Sequence, residues 1–336
     1  MAPLVSVLMP VYNAGRFLRD SVECVLRQSV DDFELVIVDD GSTDNGVEIL
    51  QCSGDPRIRV VRHGNNRGLA AARNTCLDSA SGVYVAWLDA DDRCHPSRLH
   101  EQLKVLTRYP ELGLCGTWVK TFGGDRVHRW RYPIDSDTLK SRMIFDDPFA
   151  TSSVMIRRSV LKGHHARFDH SFPPAEDYDL WEKLSRVTSL ANIAKYLTYY
   201  RLHQKQTSNT LLDRQAAAVW RIQERQIAQL GLRPTEEEKE VHLKLGVRWN
   251  FTGDETWIER ARNWLEKLSQ ANEKKGVFPK QAFNAVVADR WYRVCRGHTK
   301  AGMEAWRIFK ATPLAASYNG SLASKVRLAL CAMCRA

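Results

Sequence analysis

No apolar run in this sequence approaches the roughly 20 residues that a membrane-spanning helix needs, so no transmembrane segment is expected. The first apolar stretch, Leu4–Val11, is broken by Pro10 and lacks both a basic leader and a small-residue cleavage site. It therefore reads as a strand rather than a secretion signal. Cysteine does not form a framework either. Eight thiols are scattered through apolar or helical contexts, as expected of reduced, buried residues in a cytosolic protein. Cys331-x-x-Cys334 has no partner pair for zinc and no βαβ setting for redox work. No repeat of about 34 residues is present, which excludes a solenoid. Acid is scarce at the end of the chain, where nine Lys or Arg from Arg290 onward face Glu304 alone, within a net charge of +10. Such an imbalance invites an anionic partner. A hydrophobic content of 44% with 26% charged residues is that of an ordinary globular chain, long enough for two domains.

The first third alternates two periodicities. Leu4–Met9, Phe33–Val38, Ile58–Val61 and Val83–Leu88 are short continuous apolar runs of strand length. Between them lie helical stretches, after Gly15, to about Leu50, and over Leu69–Ala80, with another running from Pro96 to about Arg108. Strands separated by helices imply crossover connections and a parallel sheet, whose ligands lie at the carboxyl ends of the strands. Those ends carry Pro10-Val11-Tyr12-Asn13, Asp39-Asp40-Gly41-Ser42 and Asp89-Ala90-Asp91-Asp92. Three carboxylates within four positions repel one another and lose hydration, so a cation is expected to compensate them. Mg²⁺ or Mn²⁺ suits oxygen ligands shared with phosphates. Alone, Asp-x-Asp reads equally as a helix start. A polar cluster after each of three strands does not follow from capping.

Further along, Leu112–Val119 and Val127–Tyr132 flank the turn Phe122-Gly123-Gly124-Asp125. Ser136–Ile144 reads as a helix and Ser153–Arg157 as a strand. Pro173-Pro174 leads to Glu176-Asp177 at a helix start. The strand Ile193–Tyr200 runs into a basic loop, Arg201 to Ser208, suited to phosphate. Beyond Asp213 only helices are expected: Ala216–Leu230, Glu236–Leu245, Glu255–Gln270, Gln281–Arg296, Lys300–Lys310 and Leu322–Arg335. Thr235 and Glu238 have capping-box spacing, and the tryptophans of this region read as core anchors.

Val5–Asn13, Val38–Asp44, Asn66–Asn74, Leu88–Asp92, Glu176-Asp177 and Tyr200–His203 together resemble the family 2 glycosyltransferases. The six motifs occur in order within residues 4–208. The resemblance implies a GT-A nucleotide-sugar-binding α/β fold with a mostly parallel central sheet, followed by an all-helical region. It divides the chain into a transferase domain at 1–210, with a nucleotide-sugar-binding half at 1–110 and an acceptor-binding half at 111–210, and a helical domain at 211–336. It implies inverting, metal-dependent transfer from a nucleoside diphosphate sugar, of the UDP-linked type.

By that similarity, Pro10, Val11, Tyr12, Asn13 and Asp40 hold a uracil-type base, with Arg67 on the bordering stretch. Asp89 and Ala90 lie near the ribose, Asp91 binds Mn²⁺ or Mg²⁺, and Asp92 supports them. Asp177 is the general base and Glu176 the adjacent contender. Arg201 and His203 close over the diphosphate, with His203 a second metal ligand. The Gln-x-x-Arg-Trp signature of processive members is missing, since Arg126, Leu245 and Val287 occupy the required position before the three Arg-Trp pairs. Transfer of a single sugar to a saccharide or lipid-linked acceptor is therefore expected.

Two rival readings are weaker. A nucleotidyltransferase needs a Gly-rich, Arg-containing loop that Val11–Arg16 does not supply. A nucleic-acid-binding or scaffold protein with an inactive sugar-nucleotide domain would explain the basic end, yet no aromatic-basic RNA signature is present, and no nucleic acid partner is expected. Leu322, Val326, Leu330 and Met333 share a helical stripe beside Lys325 and Arg327. The stripe suits peripheral contact with the inner face of a membrane by a cytoplasmic protein, but docking of that stripe on the other helices is the simpler and preferred reading.

Overall fold

The structure is a computed structural model that describes residues 2–47, 54–203, 212–246, 255–297 and 303–320. The expected loop from Gln204 to Ser208, the expected helix end near Leu50, Trp249 and the expected helix Leu322–Arg335 with Cys331 and Cys334 fall outside the described residues. The chain divides into two compact units, Met1–Ser136 with Pro148–Ala218, and Asp137–Asp147 with Val219–Ala336.

The first unit is built on a mixed sheet. Strands β1 (Val5–Val11), β2 (Phe33–Asp39), β3 (Ile58–Arg62) and β4 (Tyr84–Trp87) pair parallel in the order β3-β2-β1-β4. Every residue of β1 and β4 is buried, which is why these strands read as unbroken apolar runs rather than alternating ones. Because β1 lies between β2 and β4, the strand order reverses there and opens a crevice at the carboxyl ends. The sheet continues through β8 (Met155–Arg157), antiparallel to both β4 and β6 (Leu112–Phe122), and then β9 (Ser189–Arg201), parallel to β6. Two short strands, β5 (Arg93–Cys94) on β9 and β7 (Arg129–Trp130) on β6, complete it.

Helices α1 (Gly15–Leu26) and α3 (Arg98–Arg108) bury Leu18, Val22, Val25, Leu99, Leu103 and Leu106 with Val5, Val7 and Met9 of β1. Helix α2 (Leu69–Ser79) packs on β1 and β2 through Ala70, Ala71 and Ala72, whose small side chains permit a close approach. It also buries an arginine, Arg73. The remaining helices of this unit are α4 (Ser136–Arg142), which ends in the second unit, α5 (Arg158–Gly163) and α6 (Glu176–Ser185).

The second unit holds α7 (Leu212–Gln229), α8 (Glu236–Gly246), α9 (Glu255–Lys275), α10 (Lys280–Gly297) and α11 (Met303–Lys310). Its core contains Trp220, Trp257, Trp264 and Trp291, as anchors between helices should be, together with Ile144 and Phe145 from the earlier segment. The expected capping box starts α8: Thr235 Oγ1 accepts from the Glu238 N–H at 3.2 Å, and Glu238 Oε2 accepts from the Thr235 N–H at 3.0 Å. At the centre of this unit, the Trp264 indole N–H donates to His242 Nδ1 at 3.0 Å. Since an indole can only donate, Nδ1 is the acceptor, and Nε2–H donates to the Ile144 carbonyl at 2.7 Å. Burial, opposed by that carbonyl, lowers the imidazole from 6.5 to about 4.

Candidate active site

Three groups of side chains collect at the carboxyl ends of the parallel strands. After β1, Asn13 adopts a left-handed backbone with φ 50°. Its N–H donates to Ser42 Oγ at 2.9 Å, and its side-chain oxygen accepts from the Thr43 N–H at 2.8 Å. The loops after β1 and β2 are thereby joined, with the Tyr12 ring 51% exposed beside them. Asp40 is buried. Its Oδ1 accepts from His63 Nδ1 at 2.6 Å and the Arg67 N–H at 3.0 Å, while Oδ2 accepts from the Gly68 N–H at 2.9 Å. One carboxylate thus shapes the whole turn that carries the exposed Arg67. Gly41 is required here, having φ +73° and leaving no room for a Cβ, which would lie 2.6 Å from the Asn65 backbone.

The second group follows β4. The Asp89 N–H donates to Ser152 Oγ at 3.0 Å, and the Ala90 carbonyl accepts from Ser21 Oγ of α1 at 2.8 Å. Asp91 Oδ2 lies 2.9 Å from His203 Nε2. Asp92 is 1% exposed; its Oδ1 accepts from the Arg201 N–H at 2.8 Å, and its Oδ2 has no hydrogen-bond partner. Lost hydration raises the pKa of Asp89, with Asp91 and Asp177 adding to the rise and Arg73 opposing it. Burial pushes Asp92 well above the usual carboxylate range, reinforced by Asp91 and Asp89. This corner is therefore short of positive charge.

Arg201 does not make up the shortfall with a free guanidinium. Its Nε donates to the Asp91 carbonyl and its terminal nitrogen to Asp20 of α1, both at 2.6 Å. The group lies against the rings of Phe17 and Phe122, 4.7 and 4.4 Å from their centroids. Burial opposes ionisation of Asp20, but Arg93 and Arg201 together hold it below its usual range. Arg201 thus holds the acid-bearing turn and α1 together.

The third group stands at the start of α6. Glu176 is 2% exposed and accepts from Arg73 at 2.9 Å, with its other oxygen unpartnered. Burial raises its pKa while Arg73 opposes the rise. Asp177, half-buried, accepts from Thr151 Oγ1 at 2.5 Å through one oxygen and from the Tyr178 N–H at 2.8 Å through the other. Arg73 joins the second and third groups, standing 3.5 Å from Asp89 and 2.9 Å from Glu176 over the Phe168 ring. Burial disfavours its charge, yet Asp89, Glu176 and Asp177 hold its pKa above the ordinary arginine value.

In the sequence Arg73 is one residue of the Asn66–Asn74 motif with no role of its own. His63 and Thr151 were not identified either. Nothing near Arg73 in the chain marks it as buried; only its helical register beside Ala70 and Ala72 could have done so.

Among the described residues, no group of three or more His, Cys, Asp and Glu is arranged as a closed metal cage. The acid surplus at Asp89, Asp91 and Asp92 fits a cation that takes only one or two protein ligands and shares the rest with phosphate and water.

A parallel sheet with a strand-order switch, an Asp-x-Asp turn past β4 and a carboxylate pair opening α6 define a GT-A glycosyltransferase. The profile of Glycosyl transferase family 2 matches residues 6–164. A glycosyltransferase of Haemophilus influenzae is 31% identical over 224 residues, 62% of this chain and 68% of that protein. The chain belongs to glycosyltransferase family 2. Chondroitin synthase of Escherichia coli is 30% identical over 241 residues, 69% of this chain but 34% of the synthase. In fold, the chain is similar to S. aureus TarS 1–349 in complex with UDP-GlcNAc, with a TM-score of 0.57 and 17% identity over 87% of this chain and 88% of that one. The mannosyltransferase PcManGT of Pyrobaculum calidifontis, in complex with GDP-Man and Mn²⁺, has a TM-score of 0.51 and 18% identity over 99% and 80%. Among the described residues no helix is long and apolar enough to cross a membrane.

Proposed function

We propose that this enzyme moves a single sugar from a nucleoside diphosphate sugar, of the uridine type, to a hydroxyl of a saccharide or lipid-linked acceptor with inversion. Asp177 is the general base. The observation that carries this assignment is the contrast within the pair: Glu176 is enclosed and bound to Arg73, whereas Asp177 is half-buried and anchored by Thr151 and its own helix. Two hydrogen bonds fix the carboxylate's direction, so it can take the acceptor proton as the new bond forms without first reorganising.

Tyr12, Asn13 and the turn shaped by Asp40 and carrying Arg67 form the base pocket in this reading. Pro10 and Val11, at the end of β1, set its floor, while Asp89 and Ala90 face the ribose. Asp91, with His203 beside it, would hold Mn²⁺ or Mg²⁺. The cation's contribution when bound is to stabilise negative charge on the departing diphosphate. Asp92 and Arg201 position Asp91, the first through the Arg201 backbone and the second through the Asp91 carbonyl. The setting is the cytoplasm, where reduced thiols persist; the five cysteines among the described residues are free.

Asp177→Asn tests the assignment, because it keeps the side chain's size and removes its basicity. Donor affinity should stay within about twofold while transfer falls by about two to four orders of magnitude, the usual range for a lost general base. Transfer near the wild-type rate would reject Asp177 as the base.

A further inference from the structure

The sheet that bounds the site has one face on which two charges, Lys120 and Arg129, are left without a counter-charge among the described residues. On β6, Trp118, Lys120 and Phe122 alternate outward from the buried Val119 and Thr121. Register places Lys120 opposite Arg129 of β7 on one side and Tyr199 of β9 on the other, and Trp118 opposite Tyr196. Arg131, two residues beyond Arg129, lies 5.3 Å from the Trp118 ring centroid and donates to the Tyr196 hydroxyl at 2.8 Å.

Two features point to a ligand. Lys120 and Arg129 are like charges directly across a strand pair, an arrangement that costs stability, and neither has an ion-pair partner among the described residues. The face also continues toward the site: the alternation that places Tyr199 on it next places Arg201, the last residue of β9, bonded to the Asp91 carbonyl, and just past the strand His203 meets the Asp91 carboxylate. From Trp118 to Phe122 the strand advances about 13 Å, enough for more than one sugar ring.

We infer that this face is the acceptor track, and that the acceptor is a saccharide chain carrying anionic groups, carboxylate or phosphate. The inference rests on the transferase reading above. Tyrosine and tryptophan rings present flat apolar surfaces on which the C–H faces of sugars pack, and here the Trp118 N–H and Tyr196 hydroxyl are held by the Tyr132 carbonyl and Arg131. Lys120, Arg129 and Arg131 supply the charge that a neutral glycan would leave uncompensated. Anion binding between Lys120 and Arg129 relieves their mutual repulsion, so the site favours a charged chain over a neutral chain of equal length.

The test is titration of the full chain with hyaluronan hexasaccharide, which bears carboxylates, and with neutral chitohexaose, followed by calorimetry. At low salt hyaluronan should bind at least about tenfold more tightly, with the gap narrowing as ionic strength rises and screening shortens. Arg129→Gln and Lys120→Gln, both away from the buried core, should each weaken hyaluronan about three- to tenfold, as expected for loss of one charge contact, and leave chitohexaose affinity unchanged. Binding of neither glycan, equal binding of both, or unaltered hyaluronan affinity in both variants would overturn the proposal. Tighter binding of an oligothymidylate would overturn it in favour of a nucleic acid. A parallel titration with a uridine diphosphate sugar separates the two levels: failure to bind any donor rejects the transferase reading, whereas donor binding without glycan discrimination rejects only the anionic track.

Discussion

Replacing Arg73 by methionine should destabilise the first unit by about 3–5 kcal/mol, the usual cost of removing one partner from a buried ion pair. The reasoning starts from Glu176. It is 2% exposed, Arg73 is the only side chain hydrogen-bonded to it among the described residues, and its second oxygen is already unpartnered. Methionine fills much of the same volume and keeps the contact with Phe168, so the loss isolates the charge rather than creating a cavity. Glu176→Gln should cost about 1–3 kcal/mol by itself, as expected for a weakened hydrogen bond to a charged group. In the double variant the glutamine no longer needs a cation, so the costs should fall short of additivity by about 2 kcal/mol. Urea denaturation, with the midpoint read at constant m-value, measures each corner of the cycle.

The pH dependence supplies a second check. Without Arg73, the folded-state pKa of Glu176 rises further above its unfolded value. A carboxyl group shifted in that direction favours folding below its unfolded pKa and loses the contribution as pH rises. The deficit of Arg73→Met relative to wild type should therefore shrink as pH falls from about 7.5 toward the ordinary glutamate range near 4. Strict additivity in the cycle, or a deficit that does not change over that range, would refute the argument that Arg73 holds an enclosed carboxylate.

The other tests address separate parts of the molecule. Asp91→Asn should abolish the dependence of donor affinity on Mn²⁺, read as equal donor binding with the ion and with chelator; retained Mn²⁺ stimulation would place the cation elsewhere. In the second unit, His242 binds its proton with a pKa lowered from 6.5 to about 4. The depressed value means that stability is fully present above the unfolded pKa and is lost as pH falls through the folded one, amounting to about 3 kcal/mol by pH 4. His242→Gln, which does not titrate, should flatten that acid limb in chemical denaturation, and an unchanged slope would assign the acid sensitivity to other groups.

What could be read from the sequence divides along a physical line. Strands β1, β2 and β4 were visible because burial on both faces leaves nothing polar in them, and the turns after them because charge beside a buried strand is costly enough to demand a reason. The six motifs also led directly to the family. β5 has only Arg93 and Cys94 and exists because β9 is there to pair with it, so no local pattern announces it. The segment Asp137–Asp147 joins the helical core although it is flanked on both sides by residues of the other unit; its apolar Ile144 and Phe145 show that it is buried, not where.

Arg73 is the sharpest case. In sequence it is an unremarkable cation on an alanine-rich helix, equally suited to solvent. Its burial becomes intelligible only when Asp89, from one loop, and Glu176, more than one hundred residues later, arrive on either side of it. The acid pair shows the same limit. Residue chemistry could not choose between Glu176 and Asp177, because adjacent carboxylates at a helix start share one dipole environment; only the family resemblance favoured Asp177. What separates them is a third residue on another helix: Arg73 binds the enclosed Glu176 at 2.9 Å, while Asp177 stays half-buried and accepts from Thr151 and the Tyr178 N–H.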